Sequence, residues 1–223
     1  MAFSLRHSPL LKPVLALVVV ILLAGCSTLY YNTMEKLGFE KRDILVDRVE
    51  DARDSQNGAQ ETFRSSLERF QSVVDTPETP LQDKYEEVRD AYEDSEAAAE
   101  DVRERIDEVE DVAEALFEEW EEELDLYENQ SLRQSSQRKL RDTQHHYEQL
   151  ISRMHEAESR MEPVLRAFQD QMLFLKHNLN AQAIASLESE LGRLRQDVDT
   201  LIRQMEDSIA ESDAFIQRFQ ASE

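Results

Sequence analysis

From residue 34 to residue 220 the apolar side chains recur in alternating steps of four and three, the spacing of a coiled-coil seam and not of a β-strand. The first stretch reads Leu45, Val49, Ala52, Gln56, Ala59, Phe63, Ser66, Phe70 and Val73, with polar residues at two of the nine seam positions beyond its alanines. The second runs Leu81, Tyr85, Val88, Tyr92, Ser95, Ala99, Val102, Ile106, Val109, Ala113, Leu116, Trp120 and Tyr127, with Leu124 standing in for Glu123. The third follows Leu140, Tyr147, Leu150, Met154, Ala157, Met161, Val164, Phe168, Met172, Leu175 and Leu179. The fourth follows Ile184, Leu187, Leu191, Leu194, Val198, Leu201, Met205, Ile209, Ser212, Ile216 and Phe219. This pattern predicts an all-α protein with helices over about 34–75, 80–128, 132–178 and 181–220.

Breaks between the stretches carry their own chemistry. Thr76-Pro77-Glu78-Thr79-Pro80 ends the first helix near Asp75, and Thr79 suits an N-cap with Pro80 at the first helical position. Glu128-Asn129-Gln130-Ser131 is the expected second turn, and Asn178-Leu179-Asn180 the third. Pro163 removes a backbone donor within the third helix and is expected to kink it. The middle helices, at about 48 residues each, span roughly 70 Å, and the outer two are about 40 residues long. Matched lengths and short turns predict an elongated antiparallel coiled-coil or four-helix bundle, up-down-up-down, whose middle hairpin tip protrudes past the outer helices. Three helices without a joint near residue 129 are the alternative. The joint is favoured because it brings Glu118 towards Arg141 and Glu121 towards Arg138, pairs worth about 0–1 kcal/mol each.

A different pattern occupies the N-terminal residues. Arg6 and Lys12 precede the apolar run Val14 to Leu23, which closes on Leu23-Ala24-Gly25-Cys26. A positive region, a short apolar region and small residues before a cysteine form a lipoprotein signal, cut ahead of Cys26. The apolar run is shorter than the roughly 20 residues of a membrane-spanning helix, the other reading of this stretch. The expected organisation is therefore a signal peptide over 1–25, a lipidated N-terminus and linker over 26–33, and a helical domain over 34–223. Cys26 would carry acyl chains such as palmitate, and Ser27 stands where aspartate retains such proteins at the inner membrane of enterobacteria. The outer membrane, on its periplasmic side, is the expected location. Tyr30 and Tyr31 suit the bilayer interface.

Charge narrows the partners. Forty-eight acidic residues against 25 basic ones give a net charge of −23, and the signal segment contributes only bases. Such a surface argues against nucleic acid, whose phosphates need Lys and Arg, and favours a soluble body held off an anionic bilayer. Cys26 is the only cysteine. Once acylated it leaves no thiol for a disulfide, a nucleophile or a Cys-ligated zinc.

Candidate chemistry is sparse. Residues 80 to 128 hold 22 acids and 4 bases, densest at Glu118-Glu119-Trp120-Glu121-Glu122-Glu123, without the glycine-turned loop of a calcium site. His145, His146 and His155 lack the i, i+4 spacing of a helical zinc site. Trp120, Phe117 and Tyr127 cluster near the tip as core at seam spacing or as an exposed docking patch. The four glycines are isolated, so no phosphate-binding loop exists, and no serine sits on a strained elbow. No cofactor and no catalytic residue is expected.

Tyr30-Tyr31-Asn32 with Glu35-Lys36, the run Lys41-Arg42-Asp43-Ile44-Leu45-Val46-Asp47-Arg48-Val49, and Leu175-Lys176-His177-Asn178-Leu179-Asn180-Ala181-Gln182-Ala183-Ile184 resemble the proteobacterial lipoproteins grouped as the domain of unknown function 2959. The resemblance spans about residues 27 to 220 and implies an envelope lipoprotein with long helices, without an established activity. Within it, Lys176, His177, Asn178, Asn180 and Gln182 crowd one joint, as caps and turn residues or as a binding surface. The expected function is a non-catalytic scaffold or interaction protein, fixed to the membrane through Cys26 and meeting an envelope protein partner or a second copy of itself. The alternative is an accessory binding module of an envelope transport or stress-response system, taking an amphipathic helix or apolar ligand where Ala52, Gln56 and Ala59 thin the seam.

Overall fold

The stretch from Leu81 to Leu124 contains neither proline nor glycine, and its apolar residues fall on one stripe, so it is helical throughout. The computed structural model describes residues 41–76, 79–178 and 181–221, without the side chains of residues 181–183 and 186. Among them the chain forms α1 (Lys41–Asp75), α2 (Leu81–Leu124), α3 (Gln130–His177) and α4 (Ala181–Ala221), with no strand. The expected helical start at residue 34 lies outside the described residues. Two compact units divide the chain at Met1–Ile44 and Leu45–Glu223. Of the first, only the opening turn of α1 is described.

In the second unit, polar contacts fix an antiparallel register between successive helices. Ser55 donates to Asp101, Arg69 to Asp94 and Lys84 to the Val73 carbonyl, which run α1 against α2. Trp120 to Ser136, Gln144 to Glu121 and His155 to Glu110 do the same for α2 and α3. Arg53 to Asp213, Gln60 to the Ile202 carbonyl, and Arg195 to Gln71 bring α4 back beside α1. The result is an up-down-up-down four-helix bundle.

The seam is the core. Every expected seam residue from Leu45 to Val73 is buried, as are Val88 to Leu116 along α2 at their expected positions. Phe168 of α3 stacks on Phe70 of α1 at 4.6 Å between ring centroids and faces Phe63 at 6.2 Å, joining the diagonal helices. Pro163 lies within α3, which stays helical from Gln130 to His177, though the proline withholds a donor from the Ser159 carbonyl. In α4, Ser208 and Phe215 turn further inward than Ile209 and Ile216, the positions the spacing favours.

Polar layers interrupt this core. The Ser66 hydroxyl donates to the Ala91 carbonyl at 2.9 Å, with the Ser95 hydroxyl 2.8 Å from both oxygens, so small side chains keep their donors while α1 and α2 approach closely. Gln56 is wholly buried, yet neither of its amide atoms has a protein partner. The bonds of Arg53 and Gln60 flank it and set it at the level of Ser208, whose hydroxyl is likewise without a protein partner. A buried amide in this condition costs about 1–3 kcal/mol.

The first joint departs from the expected capping. Pro80, extended at φ −53° and ψ 138°, occupies the cap position of α2, and no side chain caps that end. The helix therefore begins one residue later than its proline suggests, and Thr79 donates its amide back to Thr76 instead. What secures the joint is Lys84. Its stem is buried to 1% exposure and its nitrogen donates to the Val73 carbonyl, one of the last acceptors of α1 that no helical amide can reach.

Lys84→Ala is expected to lower the stability of the chain by about 3 kcal/mol in urea unfolding, through the cavity and the orphaned carbonyl. Lys84→Met keeps the packed stem and should lose only about 1 kcal/mol; equal losses from the two variants would contradict the role given to the packed stem. Gln56→Leu should raise the thermal midpoint, by about 1 kcal/mol in stability, because it removes an unmatched amide at similar volume. A lower midpoint would show that the amide is satisfied in solution.

Candidate functional site

The two ends of the bundle hold the sequence-derived candidates. At one end α2 unwinds at Asp125 and Leu126, whose amides donate to the Glu122 and Glu123 carbonyls in the tighter i, i−3 pattern. The Asn129 side chain then accepts from the amides of Ser131 and Leu132, at 2.9 and 3.2 Å, and starts α3. Arg133 closes the turn on Asp125 at 2.6 Å. The cap forces residues 125–129 out of helix, so α2 stops four residues short of the expected 128. Tyr127 consequently leaves the seam and is 41% exposed, with Leu126 at 79% and Leu132 at 56%. Between residues 121 and 139 only Leu124 is buried and only Ser136 half-buried, because no third helix packs there.

Trp120 is not the free aromatic of a docking patch. It is half-buried, and its indole N–H donates to Ser136 at 2.8 Å, clasping α2 to α3. Phe117 meets Tyr147 edge-on at 5.4 Å one turn further in. The ion pairs expected of Glu118 with Arg141 and of Glu121 with Arg138 do not form. Glu121 accepts from Gln144 instead, and Glu118, Arg138 and Arg141 all lie on solvent-facing sides. The hairpin is held by its seam and cap, not by those charges.

At the opposite end Asn178 is the C-cap of α3. Its amide donates to Leu175 and its side chain to the Phe174 carbonyl at 3.0 Å. Lys176 and His177 are exposed in the last turn of α3, where basic side chains suit the negative helix end. Asn180 and the side chain of Gln182 lie outside the described residues, as do Cys26, Tyr30 and Tyr31. Leu173 and Phe174, 41% and 39% exposed, accompany this joint. Their exposure was hidden in the sequence, where they sit beside seam positions.

The acidic helix is partly matched across the hairpin. Arg103 reaches Glu158 and Glu162 of α3, each at 3.5 Å. His155 sits between Glu110 and Glu158, 3.1 Å from each. Among the described residues no group of three His, Cys, Asp or Glu side chains is arranged to hold a metal. A cleft of about 190 Å³ opens between α3 and α4, floored by Phe215 and Phe219 and rimmed by Lys139, Asp142, His146 and Arg218. No helix of the described residues is long and apolar enough to cross a membrane.

Burial opposes charge on the His155 ring, but its hydrogen bonds to Glu110 and Glu158 outweigh that and raise its pKa above the usual 6.5. The stabilisation is complete below the unfolded value and disappears as pH climbs through the raised folded one. His155→Gln should therefore flatten the fall in thermal midpoint between about pH 6 and pH 8. Identical slopes in the two proteins would refute this assignment.

Neither a curated protein nor a solved structure matches the chain. A family described as a protein of unknown function (DUF2959) matches residues 30–219, a span running from the tyrosine pair to the last turn of α4. The chain belongs to that family.

Proposed function

We propose that this protein is a lipid-anchored, non-catalytic scaffold of the bacterial envelope, held through Cys26 in the outer membrane on its periplasmic side. The observation that carries the reading is Leu23-Ala24-Gly25-Cys26 at the end of a short apolar run, followed by a long acidic helical bundle. Two or more acyl chains hold a protein stably in a bilayer. The bundle supplies length: α3 alone, at 48 residues, spans about 70 Å. Its apolar side chains are largely consumed in internal packing, and its charged groups along the α2–α3 hairpin in ion pairs. The mechanism is geometric, keeping an envelope partner at a set distance from the membrane.

A second reading, an accessory binding module for an apolar ligand or amphipathic helix, draws on the cleft floored by Phe215 and Phe219. It draws nothing from the thin layer at Ala52, Gln56 and Ala59, where all three side chains are buried.

The full chain, expressed in a Gram-negative host with radiolabelled palmitate, is expected to take up label and fractionate with the outer membrane. Cys26→Ala should abolish both. Photocrosslinkers at Lys176 or Leu126 should then capture one defined envelope protein. Label retained in the Cys26→Ala chain would refute the anchor, and measurable uptake of an apolar probe blocked by Phe215→Trp would favour the binding module.

A further inference from the structure

Three of the five large apolar side chains exposed among the described residues, Leu126, Tyr127 and Leu132, sit together on the turn between α2 and α3. The first turns of α3 behind them carry Arg133, Arg138, Lys139 and Arg141 and no acid until Asp142. Neither Arg138 nor Arg141 has an ion-pair partner among the described residues. An apolar point with an aromatic hydroxyl and a basic collar is the composition of a surface that rests in a bilayer interface.

The topology says which way this point faces. Arg48 reaches Glu108 at 3.9 Å, so Leu45, where the chain enters the second unit, lies at the tip's end of the bundle. The tip stands about 20 Å further along α2. Nineteen residues separate Cys26 from Leu45, a tether of at most about 65 Å. An anchor at Cys26 therefore holds this end, and not the end at Lys176 and His177, within reach of lipid.

We propose that the α2–α3 tip is a bilayer-contact site. Leu126, Tyr127 and Leu132 enter the headgroup boundary, and the arginines of early α3 meet lipid phosphates. The acids Glu118, Glu119 and Glu121 to Glu123, set back along α2, limit the depth to the turn itself. The bundle then has two attachments, one covalent and one through the tip, which fix its orientation as a single anchor cannot. This inference rests on the lipoprotein reading of Cys26.

The acylated full chain offers a clean test, because its one native cysteine is blocked by lipid. Ser131→Cys places an environment-sensitive fluorophore beside the intact apolar trio, and Lys176→Cys places one at the far end. In phosphatidylethanolamine–phosphatidylglycerol vesicles the label at 131 should shift to shorter wavelength and be quenched by brominated acyl chains. The label at 176 should do neither. Adding Leu126→Ser and Leu132→Ser should abolish the response at 131 while the protein still floats with the vesicles. Flotation without any response at 131 overturns the tip site and leaves the anchor standing. Failure of the unlabelled chain to be acylated and to float overturns both. A shift at 131 that appears without vesicles and grows with protein concentration assigns the tip to a second copy and overturns the proposal.

Discussion

A helix of 48 residues standing alone in water would leave its whole apolar stripe exposed, and helix propensity alone cannot support that length against solvent. The fold exists because four such stripes face one another over almost their full extent. Burial is continuous from Leu45 to Val73 and answered by α2, α3 and α4 at each level. All else follows from that closure. The short joints, the outward placement of charge and the exposed tip are what remains once the stripes have found each other.

Closing four similar stripes does not by itself choose a register, since a shift by one heptad preserves most apolar contacts. Polar groups inside the bundle make the choice. The Ser66 and Ser95 hydroxyls meet only at one offset of α1 against α2, and Lys84 meets the Val73 carbonyl at the same offset. Gln60 bonds the Ile202 carbonyl and fixes α4 against α1 in the same manner. Gln56 is the exception: its amide costs stability without a protein partner in return, and it marks mid-bundle as the least settled layer of the core.

The seam was legible because heptad spacing depends only on residue type and interval. Leu45 to Val73 needed no other information, and the pairing of helices followed from their lengths. Termini were less legible because caps are decided by single backbone angles. Pro80 took the cap position that Thr79 seemed suited for, and Asn129 ended α2 early, taking Tyr127 off the seam. Lys84 was invisible for a deeper reason: a lysine reads as surface unless the carbonyl it satisfies is known. The ion pairs inferred across the hairpin failed because level along the axis is not the same as facing. Asn178 proved to be a cap, and the exposed apolar residues at both ends emerged only once the neighbours that fail to cover them were placed.

An even number of helices sends both ends of the folded unit out on one side. Leu45 and the last turn of α4 lie at the same end, as the pairing of Arg53 with Asp213 requires. Tension applied between those two points peels α1 from α4 layer by layer instead of sliding them past one another. Such a unit is mechanically weak when pulled by its ends, while a push along its long axis meets four helices in parallel. It is built to bear compression and to yield under traction.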